Sequence, residues 1–219
     1  MKKSLLLISV LMSVIANGKE KEVIVEKYKL GAGKPVLMVI AGMHGNERSG
    51  IELMLNKREY DFKDGTMIVL PEVNREASKN NKRRADDGED LNRVFGVEKS
   101  SYSFKLAKQI EKIIKEEKPD IILDLHESRN PNNGTDAQFY LGNSLIFTPE
   151  TFDKISDLIL ESDLSMISNA PKGSMNRYIS STYEIPIITV ETAQTESVNE
   201  RQDRYLKFIN QSLEYLKMK

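Results

Sequence analysis

The sequence predicts an α/β fold, a three-layer sandwich with helices on both faces of a mixed, mostly parallel central sheet. Two observations predict it. Residues 35–41 (PVLMVIA), 66–71 (TMIVLP), 120–125 (DIILDL) and 186–190 (PIITV) are nearly continuous apolar runs, as strands buried on both faces must be. Segments with helical spacing separate them, and such alternation builds an α/β sheet. At 219 residues the chain suits one domain with a real core.

In order, residues 22–28 (EVIVEKY) alternate and predict an edge strand, followed by the first buried strand at 35–41. Residues 49–58 have helical spacing and 66–71 form the next strand. A polar stretch, 74–90, is too charged for core and too long for a simple turn, so it reads as a functional loop. Residues 102–117 predict an amphipathic helix with Phe104, Ala107, Ile110 and Ile114 on its apolar side. Strands follow at 120–125 and 138–141 (QFYL), a helix at 149–161, a fifth strand at 186–190 and a closing helix at 199–216.

Residues 1–18 read as a cleaved signal peptide and 19–219 as a single catalytic domain. Lys2 and Lys3 give a positive start, residues 4–15 an apolar stretch too short for a comfortable span, and Ala16 and Gly18 small residues at a cleavage site. An uncleaved anchor is the alternative. Export, periplasmic or secreted, follows as an expectation, with no membrane partner after cleavage. The chain has no cysteine, so packing, or packing plus a metal, must hold it together without disulfides. Its 32 basic and 33 acidic residues leave a net charge of −1, which gives no reason to expect nucleic acid as a partner.

Polar residues follow three of the apolar runs directly: His44 and Glu47, then His126, then Glu191. Open α/β sheets place their ligand site beyond the carboxyl ends of the strands. His44 and His126 are the two histidines of the chain, and both fall there. Two imidazoles and a carboxylate form the ligand set of many catalytic zinc sites, with a further position open to water. A lone His-x-x-Glu is common in unrelated turns, so the joint pattern carries the inference. Gly42 and Gly45 let backbone pass close to an ion. Asp124 or Glu127 could orient His126. Glu191 ends an apolar strand, where a carboxylate is usually paired or functional; near an activated water it would serve as general base. In "DLNRVF", Asn92 and Arg93 suit a substrate carboxylate. Arg83 or Arg84 in the charged loop could face a developing oxyanion. For the arginines, a surface salt bridge or a solvated loop tip is the simpler alternative.

These residues resemble the zinc carboxypeptidase superfamily, in its succinylglutamate desuccinylase/aspartoacylase branch. "GMHGNE" is similar to the family's first two zinc ligands, here His44 and Glu47. "LDLHES" is similar to the strand bearing the third, His126, and "PIITVETA" to the strand ending in the catalytic glutamate, Glu191. "DLNRVF" resembles the Asn-Arg motif for the substrate carboxylate. Arg83 is the better match to the family's oxyanion arginine, with Arg84 beside it. The resemblance spans about residues 35 to 195 and implies one Zn2+ per chain. The implied activity is hydrolysis of an amide (C–N) bond next to a free carboxylate. Small peptides, those of the cell wall included, are the expected substrate; an N-acyl amino acid deacylase is the alternative, and a non-catalytic peptide-binding module the third. The family's mobile tyrosine has no counterpart before Gly173-Ser174, where Ile167, Ser168 and Asn169 stand; Tyr178 and Tyr183 are the candidates nearby. The chain ends soon after the last helix, without the extra C-terminal domain of aspartoacylases, which weighs against that substrate.

Overall fold

The computed structural model describes residues 2–4, 6–12, 15–16, 19–20, 23–56, 59–129 and 142–219, with side chains from residue 23 onward. The strands are β1 (Lys2–Ser4), β2 (Leu6–Met12), β3 (Ile15–Ala16), β4 (Lys19–Glu20), β5 (Val23–Ala32), β6 (Val36–Ala41), β7 (Glu59–Asp61), β8 (Gly65–Leu70), β9 (Ile121–Ser128), β10 (Ser144–Ile146), β11 (Ser165–Ile167) and β12 (Ile187–Ala193). The helices are α1 (Arg48–Asn56), α2 (Arg75–Lys79), α3 (Tyr102–Glu117), α4 (Ser156–Leu160), α5 (Met175–Tyr183) and α6 (Val198–Tyr215). Short 3-10 turns span Leu91–Arg93 and Pro149–Lys154. Among the described residues no helix is long and apolar enough to cross a membrane.

Eight strands form the main sheet in the order β11-β10-β12-β9-β6-β8-β5-β2. The centre, β12-β9-β6-β8, is parallel throughout. Antiparallel pairs join β10 to β12, β5 to β8 and β2 to β5, so the sheet is mixed. All six residues of β6 and of β8 are buried, which is why these strands read as continuous apolar runs.

Side-chain alternation splits the core into two layers. Leu37, Val39, Leu123, Leu125 and Val190 pack with Leu53, Met54, Tyr205 and Phe208, on the side of α1, α4 and α6. Met38, Ile40, Ile122 and Ile187 pack with Leu106, Ile110, Ile114 and Ile179, on the side of α3 and α5. The three-layer sandwich is thus as the sequence predicts.

Several elements differ from expectation. Residues 22–28 were predicted to be an edge strand, but β5 is hydrogen-bonded on both sides, to β8 and β2. Phe104 is only partly buried, because the inward face of α3 runs through Leu106, Ala107, Ile110, Ile113 and Ile114. The helix expected at 149–161 is two pieces, broken at Ile155, whose φ of −139° and ψ of 6° are not helical. β10, β11 and α5 were not anticipated. The strand expected at 138–141 lies outside the described residues, as do Asn17 and Gly18 of the expected cleavage site.

Candidate active site

The carboxyl ends of β6, β9 and β12 converge on one side of the sheet. β6 ends at Ala41, and the turn after it carries His44 and Glu47 ahead of α1. The turn passes close beneath α2: a Cβ built on Gly45 would lie 2.1 Å from the Ser78 nitrogen. His126 projects from β9, two residues before its end, and Glu191 lies beside it in register on β12. Alternation puts Asp124, His126 and Glu191 on the α3/α5 side and Glu127 on the α6 side.

Glu47 is the hub. Its Oε1 lies 2.6 Å from His44 Nδ1 and its Oε2 lies 2.9 Å from His126 Nδ1. The two imidazole rings meet edge to face with centroids 4.9 Å apart. Each ring turns its other nitrogen to a second carboxylate. His44 Nε2 is 3.1 Å from Asp90 Oδ1, and His126 Nε2 is 3.0 Å from Asp124 Oδ2. Both Nδ1 atoms therefore face a common point while an aspartate backs each ring, the arrangement that fixes the tautomer and orientation of metal-binding histidines.

The trio fits a divalent metal. Ligand atoms of His44, Glu47 and His126 all lie within 4.8 Å of one another, and all three residues are buried. Two nitrogens and one oxygen suit zinc, and no fourth protein ligand joins the group among the described residues, which leaves a position open as catalytic zinc sites do.

The electrostatics follow from this crowding. Burial alone would raise Glu47, but the two histidines overcome it and hold the carboxyl well below the usual carboxylate range. Asp90 is likewise lowered, because the hydrogen bond from His44 and the charges of His44 and Arg83 outweigh burial. His126 moves the other way. Burial disfavours its charge, yet Asp124 and Glu47 raise it well above the ordinary histidine value. Glu191 is pushed up to about 7, chiefly by burial and further by the negative Glu47 and Asp124, against the attraction of the histidines.

The arginines take distinct places. Arg83 donates through Nε and Nη2 to Asp90 Oδ2, at 3.2 and 3.0 Å, and through Nη1 to Glu47 Oε1 at 3.4 Å. It stands at the edge of the trio, partly exposed. Arg84 is exposed and donates to the Gly88 carbonyl within its own loop. Asn92 is buried, with Nδ2 3.5 Å from His126 Nε2, and its Oδ1 accepts from the Met175 N–H that opens α5. Arg93 is exposed, and its Nη1 donates to the Asn92 carbonyl at 2.6 Å. Tyr178 and Tyr183 both donate to Glu111 on α3, so neither replaces the missing tyrosine in this arrangement.

Of the two residues considered for orienting His126, Asp124 does so. Glu127 points through the opposite face and accepts from the Ser49 N–H at 2.7 Å. Sequence reasoning missed the role of Asp90 altogether. The residue opens the "DLNRVF" segment, but nothing local shows that its carboxylate meets His44, 46 residues away.

Such a sheet, with such a trio at its carboxyl ends, defines a zinc carboxypeptidase-like fold. Residues 33–216 match the succinylglutamate desuccinylase/aspartoacylase catalytic domain, and the chain belongs to that family. No curated protein matches the sequence. Among solved structures, a succinylglutamate desuccinylase/aspartoacylase from Rhodobacter sphaeroides aligns at a TM-score of 0.76 and 18% identity, over 97% of this chain and 65% of that one. An aspartoacylase family protein from Mesorhizobium loti aligns at 0.72 and 20%, over 97% and 67%. The tripeptide-bound cell shape determinant protein Csd4 from Helicobacter pylori aligns at 0.73 and 16%, over 89% and 56%. The chain thus spans about two thirds of the first two proteins and little over half of the third. At these identities the likeness is one of fold.

Proposed function

We propose that this protein is an exported, zinc-dependent hydrolase that cleaves an amide bond next to a free carboxylate, with small peptides as its substrates. The observation that carries the reading is the convergence of His44 Nδ1 and His126 Nδ1 on the two oxygens of Glu47, with Glu191 in register beside His126. His44, Glu47 and His126 would hold the zinc, which when bound supplies a Lewis acid that activates water and polarises a carbonyl.

The chain's own residues do the rest. Asp90 and Asp124 hold the two imidazoles with Nδ1 facing inward. Glu191 takes a proton from the attacking water at its carboxylate and delivers it to the departing nitrogen. Arg83 offers positive charge where the oxyanion develops, and Asp90 keeps its guanidinium in place. Asn92 and Arg93 bind the substrate's carboxylate and thereby fix which bond meets Glu191.

A second reading, deacylation of N-acyl amino acids, is favoured by the family match itself. The tripeptide in the Csd4 structure supports a peptide for a related fold. Assaying the purified protein on short peptides and on acyl-amino acids, with and without chelator, separates them. Peptide cleavage that the chelator stops and zinc restores supports the proposal, and activity on acyl-amino acids alone selects deacylation. E191Q should lower turnover by at least ~100-fold, the usual scale for a general base. Substrate binding unchanged in E191Q with no turnover in the wild type would instead indicate a binding module.

Export rests on Lys2, Lys3 and the apolar run at 4–15. The competing arrangement is the pairing of Leu6–Met12 with β5, which makes this segment part of the mature sheet. N-terminal sequencing of the protein from its native cell, with its location by cell fractionation, decides: a chain starting at Lys19 outside the cytoplasm supports export with cleavage, and an intact chain inside the cytoplasm contradicts it.

A further inference from the structure

The sheet separates two sets of side chains at the site. His126 and Glu191 face α3 and α5; their neighbours Glu127 and Thr192 face α6. Three residues on one stretch of α6 reach that reverse side. Arg201 pairs with Glu127 through Nη1 and Oε2. Gln202 Nε2 donates to the Ser49 carbonyl at 3.3 Å. The Tyr205 hydroxyl donates to the backbone carbonyl of His126 at 2.6 Å and lies 2.8 Å from Thr192 Oγ1.

Glu127 links this helix to the ligands. Its Oε1 accepts from the Ser49 N–H at 2.7 Å, at the start of α1. Its own backbone N–H donates to Glu47 Oε2 at 3.2 Å. We propose that Arg201 and Tyr205 are positioning residues for the metal trio, holding Glu47 and His126 from the opposite face of the sheet.

The inference rests on the zinc site proposed above. Glu127 is buried, its side chain 3% exposed, so removing Arg201 leaves its carboxylate without the charged partner that holds it in place, and the side chain shifts towards water. That shift loosens the bond to the Ser49 N–H and, through it, the turn that carries Glu47. Tyr205 acts more directly, by fixing the peptide plane from which the His126 ring projects. Outer contacts of this kind typically change metal affinity by ~10- to 100-fold.

The test uses the purified full chain and measures the zinc dissociation constant by competition with a chromogenic chelator. Thermal melting of the metal-free protein is recorded alongside. The variants are R201M, R201K and Y205F, with R204M as control. Arg204 lies on the same helix and pairs with Glu196 at 2.7 Å, away from the metal-bearing segments. R201M and Y205F should weaken zinc binding by ~10- to 100-fold, and R201K should recover part of the loss. R204M should keep wild-type affinity even where its melting temperature falls as far. Wild-type affinity in R201M and Y205F overturns the inference, as does a loss in all three that simply tracks melting temperature. Should R201M not fold, Y205F decides. A wild-type protein that binds no zinc overturns both this inference and the proposed function; a wild type that binds zinc alongside unaffected variants overturns this inference alone.

Discussion

Replacing Gly45 by alanine tests how the first two ligands are placed. The turn from Gly42 to Glu47 lies against α2, and the added Cβ would sit 2.1 Å from the Ser78 nitrogen and 2.2 Å from the Ala77 carbonyl carbon. Both are backbone atoms of a helix capped by Asn74, whose Oδ1 accepts from the Ala77 N–H. Neither can rotate away. Ordinary contact begins at 3.4 Å, so the turn and the helix must separate by about 1.3 Å. The φ of Gly45 is not in the left-handed region, so the cost is contact and not backbone strain. Overpacking of this kind destabilises by about 1–3 kcal/mol. His44 and Glu47 flank Gly45 and must move with it, and a shift of about 1 Å at a site costs on the order of 100-fold in rate. The assay is zinc affinity by chelator competition, with melting temperature measured in parallel. G33A is the comparison: Gly33 also lies in a tight turn, with φ of +83°, but no atom lies within 4 Å of its added Cβ. G45A should lose at least ~10-fold in affinity while G33A keeps it. Wild-type zinc affinity in a folded G45A would refute the reasoning.

Further outcomes follow from the same geometry. D124N and D90N each remove the carboxylate behind one imidazole and should weaken zinc binding by ~10- to 100-fold, read by the same competition. Zinc binding near neutral pH should release at least about one proton, because the raised His126 holds one in the metal-free protein; titration calorimetry in buffers of different ionisation enthalpy measures it. That histidine's contribution to the metal-free fold is present below its ordinary value of 6.5 and is lost as pH rises through its raised folded value, so metal-free stability should fall along that rise. R93A should raise KM for substrates with a free carboxylate and leave KM unchanged for the same substrates amidated, a split that steady-state kinetics on both series reveals.

Much of this was readable in the chain because burial on both faces leaves a mark. β6, β8, β9 and β12 carry nearly continuous apolar runs since they are buried on both faces, and the polar residues that end those runs stand out. What was not readable has physical causes. α5 buries Met175, Asn176, Ile179 and Ser180, and two polar residues among four dilute its apolar stripe. β10 and β11 have three residues each, too few to show a period. The Pro149–Leu160 region has helical composition, but its break at Ile155 is set by packing. Within the site, His44, Glu47, His126 and Glu191 were legible from their positions after strands. Asp90 and Tyr205 were not, because their partners lie 46 and 79 residues away and only the folded chain brings them together. Glu127 misleads for a simpler reason: it is adjacent to His126 in sequence, and adjacency in a strand means opposite faces.

The account stands on one cation seated between His44, Glu47 and His126. A zinc-soaked crystal, with anomalous scattering recorded at the zinc edge, tests this most directly. A single strong peak per chain among those three side chains, within ordinary zinc–ligand distances of about 2.0–2.2 Å, is the predicted result. Zinc found elsewhere, or no peak at this point in a folded, zinc-saturated crystal, would contradict it.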